Sequence, residues 1–319
     1  MTSINEQHKD KVLACFFGCA IGDALGMPHE FTYGRYPYKD IIESNGSQPI
    51  GQVSDDTEMM MALLQTIVKH KSYKIKQVIA EYCRWAGSGV PDIGITTRTL
   101  FLQPVYNEQK MIDMYMANFK EMYSPQRALH SWSQSNGCMM RCMPLILFDD
   151  EEIWKKDCSL SNPHPICQEA VVLYIRMCRN IILDQYEPLD ESWSETTEII
   201  QVIRDALAVE DLTKTGPRNV KRQRGWVLHG LYFAMVMYHH QVNSFKHGMR
   251  FVIGCHMDSD TDTNGAIAGA IIGCFKGSKL FDQTDPDYPN YKIIMDAQSQ
   301  RPNFYHPKHI HDLVTAYLG

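Results

Sequence analysis

Two acidic clusters carry the strongest chemical signal in this chain. The first, Ser54-Asp55-Asp56-Thr57-Glu58, runs straight into the apolar stretch Met59-Met60-Met61-Ala62-Leu63-Leu64. Ser54 suits a helix N-cap, and acids in the first turn suit the positive end of the helix dipole. Capping accounts for one aspartate. Two in succession after a serine leave hard oxygen donors on a tight backbone, a set suited to Mg2+, Mn2+ or Ca2+. The second cluster, Asp258-Ser259-Asp260-Thr261-Asp262-Thr263, opens another helix-like run, Gly265–Phe275. Carboxylates at the mouth of a central helix are costly unless something neutralises them. Asp-x-Asp spacing in an extended loop turns alternate carboxylates the same way, so two can grip one ion. The spacing is not that of an EF-hand, whose loop needs Gly at position 6 and Glu at position 12. Carboxylates and hydroxyls without paired His or Cys favour Mg2+ or Mn2+ over Zn2+.

A third segment is Gly18-Cys19-Ala20-Ile21-Gly22-Asp23-Ala24-Leu25-Gly26-Met27-Pro28-His29-Glu30-Phe31. Glycines at 18, 22 and 26 predict a close helix contact, and Gly265, Gly269 and Gly273 predict another. No strand precedes the segment and the order G-x-G-x-x-G is missing, so it is not a dinucleotide fingerprint. Glu30, just past Pro28, can reach into a site or remain a surface residue. Asn136-Gly137 reads locally as a tight turn. His164, between prolines, reads as a rigid loop residue. His309 and His311 at i, i+2 fall on different sides of a helix. Trp85, Trp132 and Tyr106 could stack on a base, but core packing is the simpler reading. The basic run Lys214–Gly225 reads as a solvated loop. No G-x-S-x-G elbow is present.

The elements that must position these residues are helical. Apolar periodicity predicts helices over about 5–27, 55–70, 74–86, 109–119, 138–148, 164–184, 193–210, 224–241, 244–255, 263–276 and 308–318. Alternating strand patterns are nearly absent, and neither a Ser/Gly linker nor a repeat divides the chain. We expect one all-α domain over residues 1–319. The chain has 319 residues, 44% hydrophobic and 21% charged, with a net charge of −6. That balance excludes disorder and disfavours nucleic acid as the main partner. The most apolar stretch is read as Gly265–Phe275, short of the ~20 residues of a membrane span. Ten cysteines lie in apolar stretches without a C-x-x-C pair, as expected of reduced, buried thiols in a cytoplasmic protein.

Together the segments resemble the ADP-ribosylglycohydrolase family. The matching pieces are Gly18–Phe31, Ser54–Thr57 (S-D-D-T), Asp92-Ile93-Gly94-Ile95-Thr96-Thr97, Ser135–Pro144, Asn162–Pro165, Gly225–Leu228 and Asp260–Asn264 (D-T-D-T-N), in the family order. The resemblance implies a compact orthogonal helical bundle with a metal-floored cleft, and two Mg2+ or Mn2+ ions as cofactors. It implies Ser54, Asp55, Asp56, Asp260, Asp262 and Thr263 as metal ligands, and Asp55, Asp92 and Glu30 as acid/base candidates in no fixed order. Gly94, Ser135, Asn136, Gly137 and Asn162 would contact substrate. Three departures stand out. Ser54 replaces a common Thr, Asn162 a common His, and Asp258-Ser259 two common glycines. The last leaves Asp258/Asp260 as an alternative ligand pair to the preferred Asp260/Asp262.

The implied chemistry is hydrolysis of the C1″ glycosidic bond of an ADP-ribosylated protein or other conjugate, by a monomer that needs no membrane. Asp92 in the D-x-G segment favours an arginine linkage. Serine, poly(ADP-ribose), O-acetyl-ADP-ribose and nucleic-acid linkages remain as alternatives, as does a non-catalytic ADP-ribose-binding relative. The intact acidic set argues against the last.

Overall fold

Thirteen α-helices carry the described residues of the computed structural model, which are 3–30, 32, 37–43, 49–103, 107–124, 133–254 and 259–319. They are α1 Lys9–Gly26, α2 Asp55–His70, α3 Ile75–Ala86, α4 Ile95–Phe101, α5 Glu108–Met122, α6 Glu151–Ser159 and α7 Pro165–Ile182. There follow α8 Thr197–Leu207, α9 Val227–His239, α10 Phe245–Met249, α11 Thr261–Lys276, α12 Tyr288–Asp296 and α13 Ile310–Leu318. The β content among the described residues is a single antiparallel bridge between Ser135 and Trp226. The all-α expectation holds.

The centre of the molecule is the antiparallel pair α1 and α11. The two glycine stripes face each other. A Cβ at Gly18 would sit 2.2 Å from the Gly269 carbonyl oxygen, one at Gly22 2.0 Å from that of Gly265, and one at Gly26 2.1 Å from that of Thr261. Backbones meet at these crossings, where no side chain fits. Because the pair is antiparallel, the C-terminus of α1 lies beside the N-terminus of α11. That juxtaposition brings Glu30 to Asp260 and Asp262.

Several details differ from the sequence reading. Helix α1 is buried all round from Val12 to Gly26, where apolar periodicity alone implies one buried face. The helical stretch Glu6–His29 is long and apolar enough to cross a membrane by composition, with a mean hydropathy of 1.4, so Gly265–Phe275 is not the chain's longest such stretch. It packs inside the protein, with 89% of its most apolar 18-residue window buried. Residues 138–148 form turns and a 3-10 segment, Met143–Leu147, with Pro144 in its first turn, instead of an α-helix. The expected helix over 244–255 is α10 followed by a π-helical turn, Arg250–Gly254. Helices α4, α6 and α12 were not anticipated. All nine described cysteines are buried and unpaired, as reduced core thiols should be.

Candidate active site

Helix α2 begins where its residues dictate. The Ser54 hydroxyl accepts from the Asp56 amide at 3.3 Å and donates to Asp56 Oδ2 at 2.8 Å, so one side chain caps the helix and orients a carboxylate. Beneath it lies Asp23 of α1, fully buried. Its oxygens accept from the Ser54 amide at 3.1 Å, the Thr57 amide at 3.2 Å and the Thr57 hydroxyl at 2.5 Å. Asp23 thus ties the first acidic segment to the α1/α11 pair. It lies within the third sequence segment, where its signal is an acid inside a helix otherwise fit for a core. Burial pushes its carboxyl up to about 6 despite the donors from Thr57 and Ser54.

The second segment opens α11. The Thr261 hydroxyl donates to the Gly26 carbonyl at 2.9 Å, and the Thr263 amide to Asp262 Oδ1 at 2.8 Å. Carboxylate oxygens of Glu30, Asp260 and Asp262 all lie within 4.8 Å of one another. Ser54, Asp55, Glu30, Asp92 and Asp262 line one cleft of about 550 Å3. Asp56, Asp260 and Thr263 sit buried behind that lining. The register alternative at Asp258, and the rings of Tyr106 and Trp132, lie outside the described residues. Trp85 is wholly buried, as core packing requires.

The carboxylates disturb one another. Burial, then the charges of Asp260, Asp92 and Asp23, push the Glu30 carboxyl up to about 8. Burial first and neighbouring acids second hold Asp55, Asp56 and Asp262 well above the usual carboxylate range. Burial also raises Asp260, against donation from Asn136. Asp56 Oδ1 is buried and meets no hydrogen-bond partner among the described residues. Crowded hard oxygens, one of them without a donor, fit a hard divalent cation such as Mg2+ or Mn2+.

The other predicted segments form a wall beside the cleft; of their described candidate residues, Asp92 is the one in its lining. Asn136 Nδ2 donates to Asp260 Oδ2 at 2.6 Å, and its amide to the Gly225 carbonyl at 2.9 Å. A Cβ at Gly137 would lie 3.7 Å from Thr97 Oγ1, which puts that turn against the start of α4. The Thr96 hydroxyl donates to Ser133 Oγ at 3.1 Å, and Ser133 Oγ to Ser135 Oγ at 3.1 Å. Asp92 and Gly94 are exposed on the α4 side. Asn162 does not reach the cleft. It is wholly buried under the Ser133–Ser135 loop and donates to Ser133 O, Ser133 Oγ and Ser135 Oγ. His164 caps α7 by accepting from the Ile166 amide at 3.2 Å.

Two supports of this wall went unseen in the sequence. Arg141, wholly buried, donates to Gly137 O at 2.7 Å and Ser161 Oγ at 2.8 Å and pairs with Asp157 at 3.3 Å. Glu58, buried on α2, is gripped by Arg301.

Comparisons with known proteins bear on the family and the fold. The ADP-ribosylglycohydrolase family profile matches residues 4–283. The ADP-ribosyl-dinitrogen-reductase glycohydrolase of Rhodospirillum rubrum is 26% identical over 283 residues, spanning 84% of this chain and 86% of that protein. A protein of Acanthamoeba polyphaga mimivirus named for ADP-ribosyl glycohydrolase activity is 28% identical over 140 residues, 40% of this chain and 38% of its own. An ADP-ribosylglycohydrolase-related protein shares the fold with a TM-score of 0.68 at 17% identity, covering 98% of both chains. With its acidic cleft and a match along most of its length, the chain belongs to the ADP-ribosylglycohydrolase family.

Proposed function

We propose that this ADP-ribosyl glycohydrolase cleaves the C1″ bond between ADP-ribose and an arginine side chain of a protein, with two Mg2+ or Mn2+ ions held by Ser54, Asp55, Asp56, Asp260, Asp262 and Thr263. The observation that carries this reading is the charge of the cleft. Five carboxylates line it, Glu30, Asp55, Glu58, Asp92 and Asp262, against one cation among the described lining residues, Arg301. Such a cleft favours cations, both metal ions and a guanidinium leaving group.

When bound, divalent ions supply fixed positive charge for a sugar diol and lower the pKa of a water. The protein's own groups do the rest. Asn136 and the Ser133–Gly137 turn hold the ADP-ribose against the floor. Asp92, exposed opposite that floor, accepts paired hydrogen bonds from the guanidinium and opposes the positive charge that develops at C1″. Asp55 and Glu30 take and return a proton. Asp92→Asn keeps size and removes charge. Turnover of ADP-ribosyl-arginine should fall by about 10²-fold, in line with general acid–base contributions, while the Kd for free ADP-ribose should change far less. Unchanged turnover, or equal loss of both, would overturn the role. Assayed side by side, ADP-ribosyl-serine should turn over more slowly than ADP-ribosyl-arginine.

A further inference from the structure

Arg301 belongs to a stretch outside the family-matched residues 4–283, yet it lines the cleft beside Gln300. Its side chain is only 10% exposed. The guanidinium donates through Nε to both Glu58 oxygens, at 2.9 and 3.2 Å, and through one terminal nitrogen to Glu58 Oε2 at 3.0 Å. The same fork reaches Ser88, with bonds of 2.8 Å to the carbonyl and 2.7 Å to the hydroxyl. Trp85 Nε1 adds a donor to Glu58 Oε2 at 2.9 Å. The surrounding segment is docked as well. The Phe304 carbonyl accepts from Gln65 of α2, and the Tyr305 hydroxyl donates to Glu81 of α3 at 3.1 Å.

The two ends of this clamp matter for different reasons. Glu58 lies three residues after Asp55 on α2, so both share one helix face and both line the cleft. Ser88 lies four residues before Asp92, and Val90, Pro91 and Asp92 form the cleft wall between them. A planar fork that spans both therefore sets the separation of the α2 floor from the Asp92 wall. It also pairs the Glu58 carboxylate with a cation.

We infer that Arg301 is a positioning residue: by bridging Glu58 and Ser88 it fixes Asp92 relative to Asp55 across the cleft. The inference rests on the reading that Asp92 acts at the reacting sugar. A lysine keeps the charge but cannot meet three acceptor groups in one plane. Arg301→Lys in the full chain with Mg2+ should therefore fold and bind free ADP-ribose within about 3-fold of wild type. Its kcat on ADP-ribosyl-arginine should fall on the order of 10-fold or more, as small misplacements of a reacting group do. Should Arg301→Lys unfold, the double variant E58Q/R301Q removes the unpaired buried charge while keeping an acceptor for Trp85. That variant should regain stability without regaining kcat; recovery of wild-type kcat would reduce Arg301 to charge balance and overturn the inference. In a D92N background, Arg301→Lys should cost little more, because both changes disable one group. Additive losses would also overturn it. The two readings fail differently: an inert Asp92→Asn removes the role of Asp92, whereas an inert Arg301→Lys beside an impaired Asp92→Asn removes the clamp alone.

Discussion

The floor and the wall of the cleft are built on opposite principles. The floor is the end of the α1/α11 crossing, where backbones touch at glycine and the carboxylates stand on the last residues of one helix and the first of two others. Backbone contact at these crossings leaves the two central helices no room to shift toward each other. The wall is assembled from the Asp92 segment, the Ser133–Gly137 turn and the C-terminal stretch. They are tied by hydroxyls, the Arg141 guanidinium and Arg301. A rigid floor suits the repelling charges of an ion site, whose geometry must survive without the ion. A wall made of separate tethered segments can be adjusted piece by piece to an acceptor, and it meets the floor where Asn136 donates to Asp260 and where Arg301 grips Glu58.

The largest effect should come from breaking the floor itself. A methyl at Gly22 would meet the Gly265 carbonyl oxygen at 2.0 Å, and backbone cannot step aside as a side chain can. Gly22→Ala should cost about 3 kcal/mol or more, at or above the upper end of ordinary overpacking. Urea unfolding would show it as a shifted midpoint, or the variant would fail to fold. Near wild-type stability would mean that α1 and α11 are farther apart than described.

Next come the floor's carboxylates. Asp262→Ala and Asp56→Ala should each abolish hydrolysis and leave the helical circular dichroism intact. Without metal, each should be no less stable than wild type, since one repelling charge is gone. Near wild-type turnover by either variant would sink the ion site.

The same repulsion predicts a pH dependence. Glu30 sits at about 8 in the folded chain against an ordinary value of 4.5, so the folded state holds its proton longer. Stability from this group is complete below pH 4.5 and is lost as pH rises through about 8. In chelator, the melting temperature should fall over that interval, with Asp23 contributing the part up to about 6. Saturating Mg2+ or Mn2+ should raise the melting temperature and flatten the slope. A chelated protein whose melting temperature rises steadily from pH 5 to 8 would contradict the described burial of these acids.

How much of each region is legible in the sequence follows from the same contrast. The floor is written locally. Glycines four apart, an acid after a serine and D-x-D before a small-residue helix are all patterns within a few residues. What local pattern could not supply was that the two glycine stripes face each other, or that Asp23 serves the neighbouring helix. The wall is written over long distances. Arg301 meets Glu58 across 243 residues, and no spacing within either segment announces it. The misread stretch 138–148 has a related cause. Its apolar run reports burial, which helix and turn share. There the buried Arg141 takes the Gly137 carbonyl, and Pro144 lies in the first turn of the 3-10 segment.

The smallest expected effect tests whether the wall is adjustable. Thr96 and Ser133 join the Asp92 side to the Asn136 turn through one hydroxyl pair at 3.1 Å, half-buried and outside the cleft lining. Thr96→Val keeps the shape and removes the donor. A typical hydrogen bond contributes about 1 kcal/mol, so the midpoint of unfolding should shift modestly. Ser133 Oγ keeps its bonds to Ser135 and Asn162, so the turn itself should persist. If wall segments act independently of the floor, this variant should raise KM for an ADP-ribosyl conjugate a few-fold, while the affinity for Mn2+ stays unchanged. A coupled loss of Mn2+ affinity would show that wall and floor form one rigid unit, and that acceptor choice cannot be varied without altering the ion site.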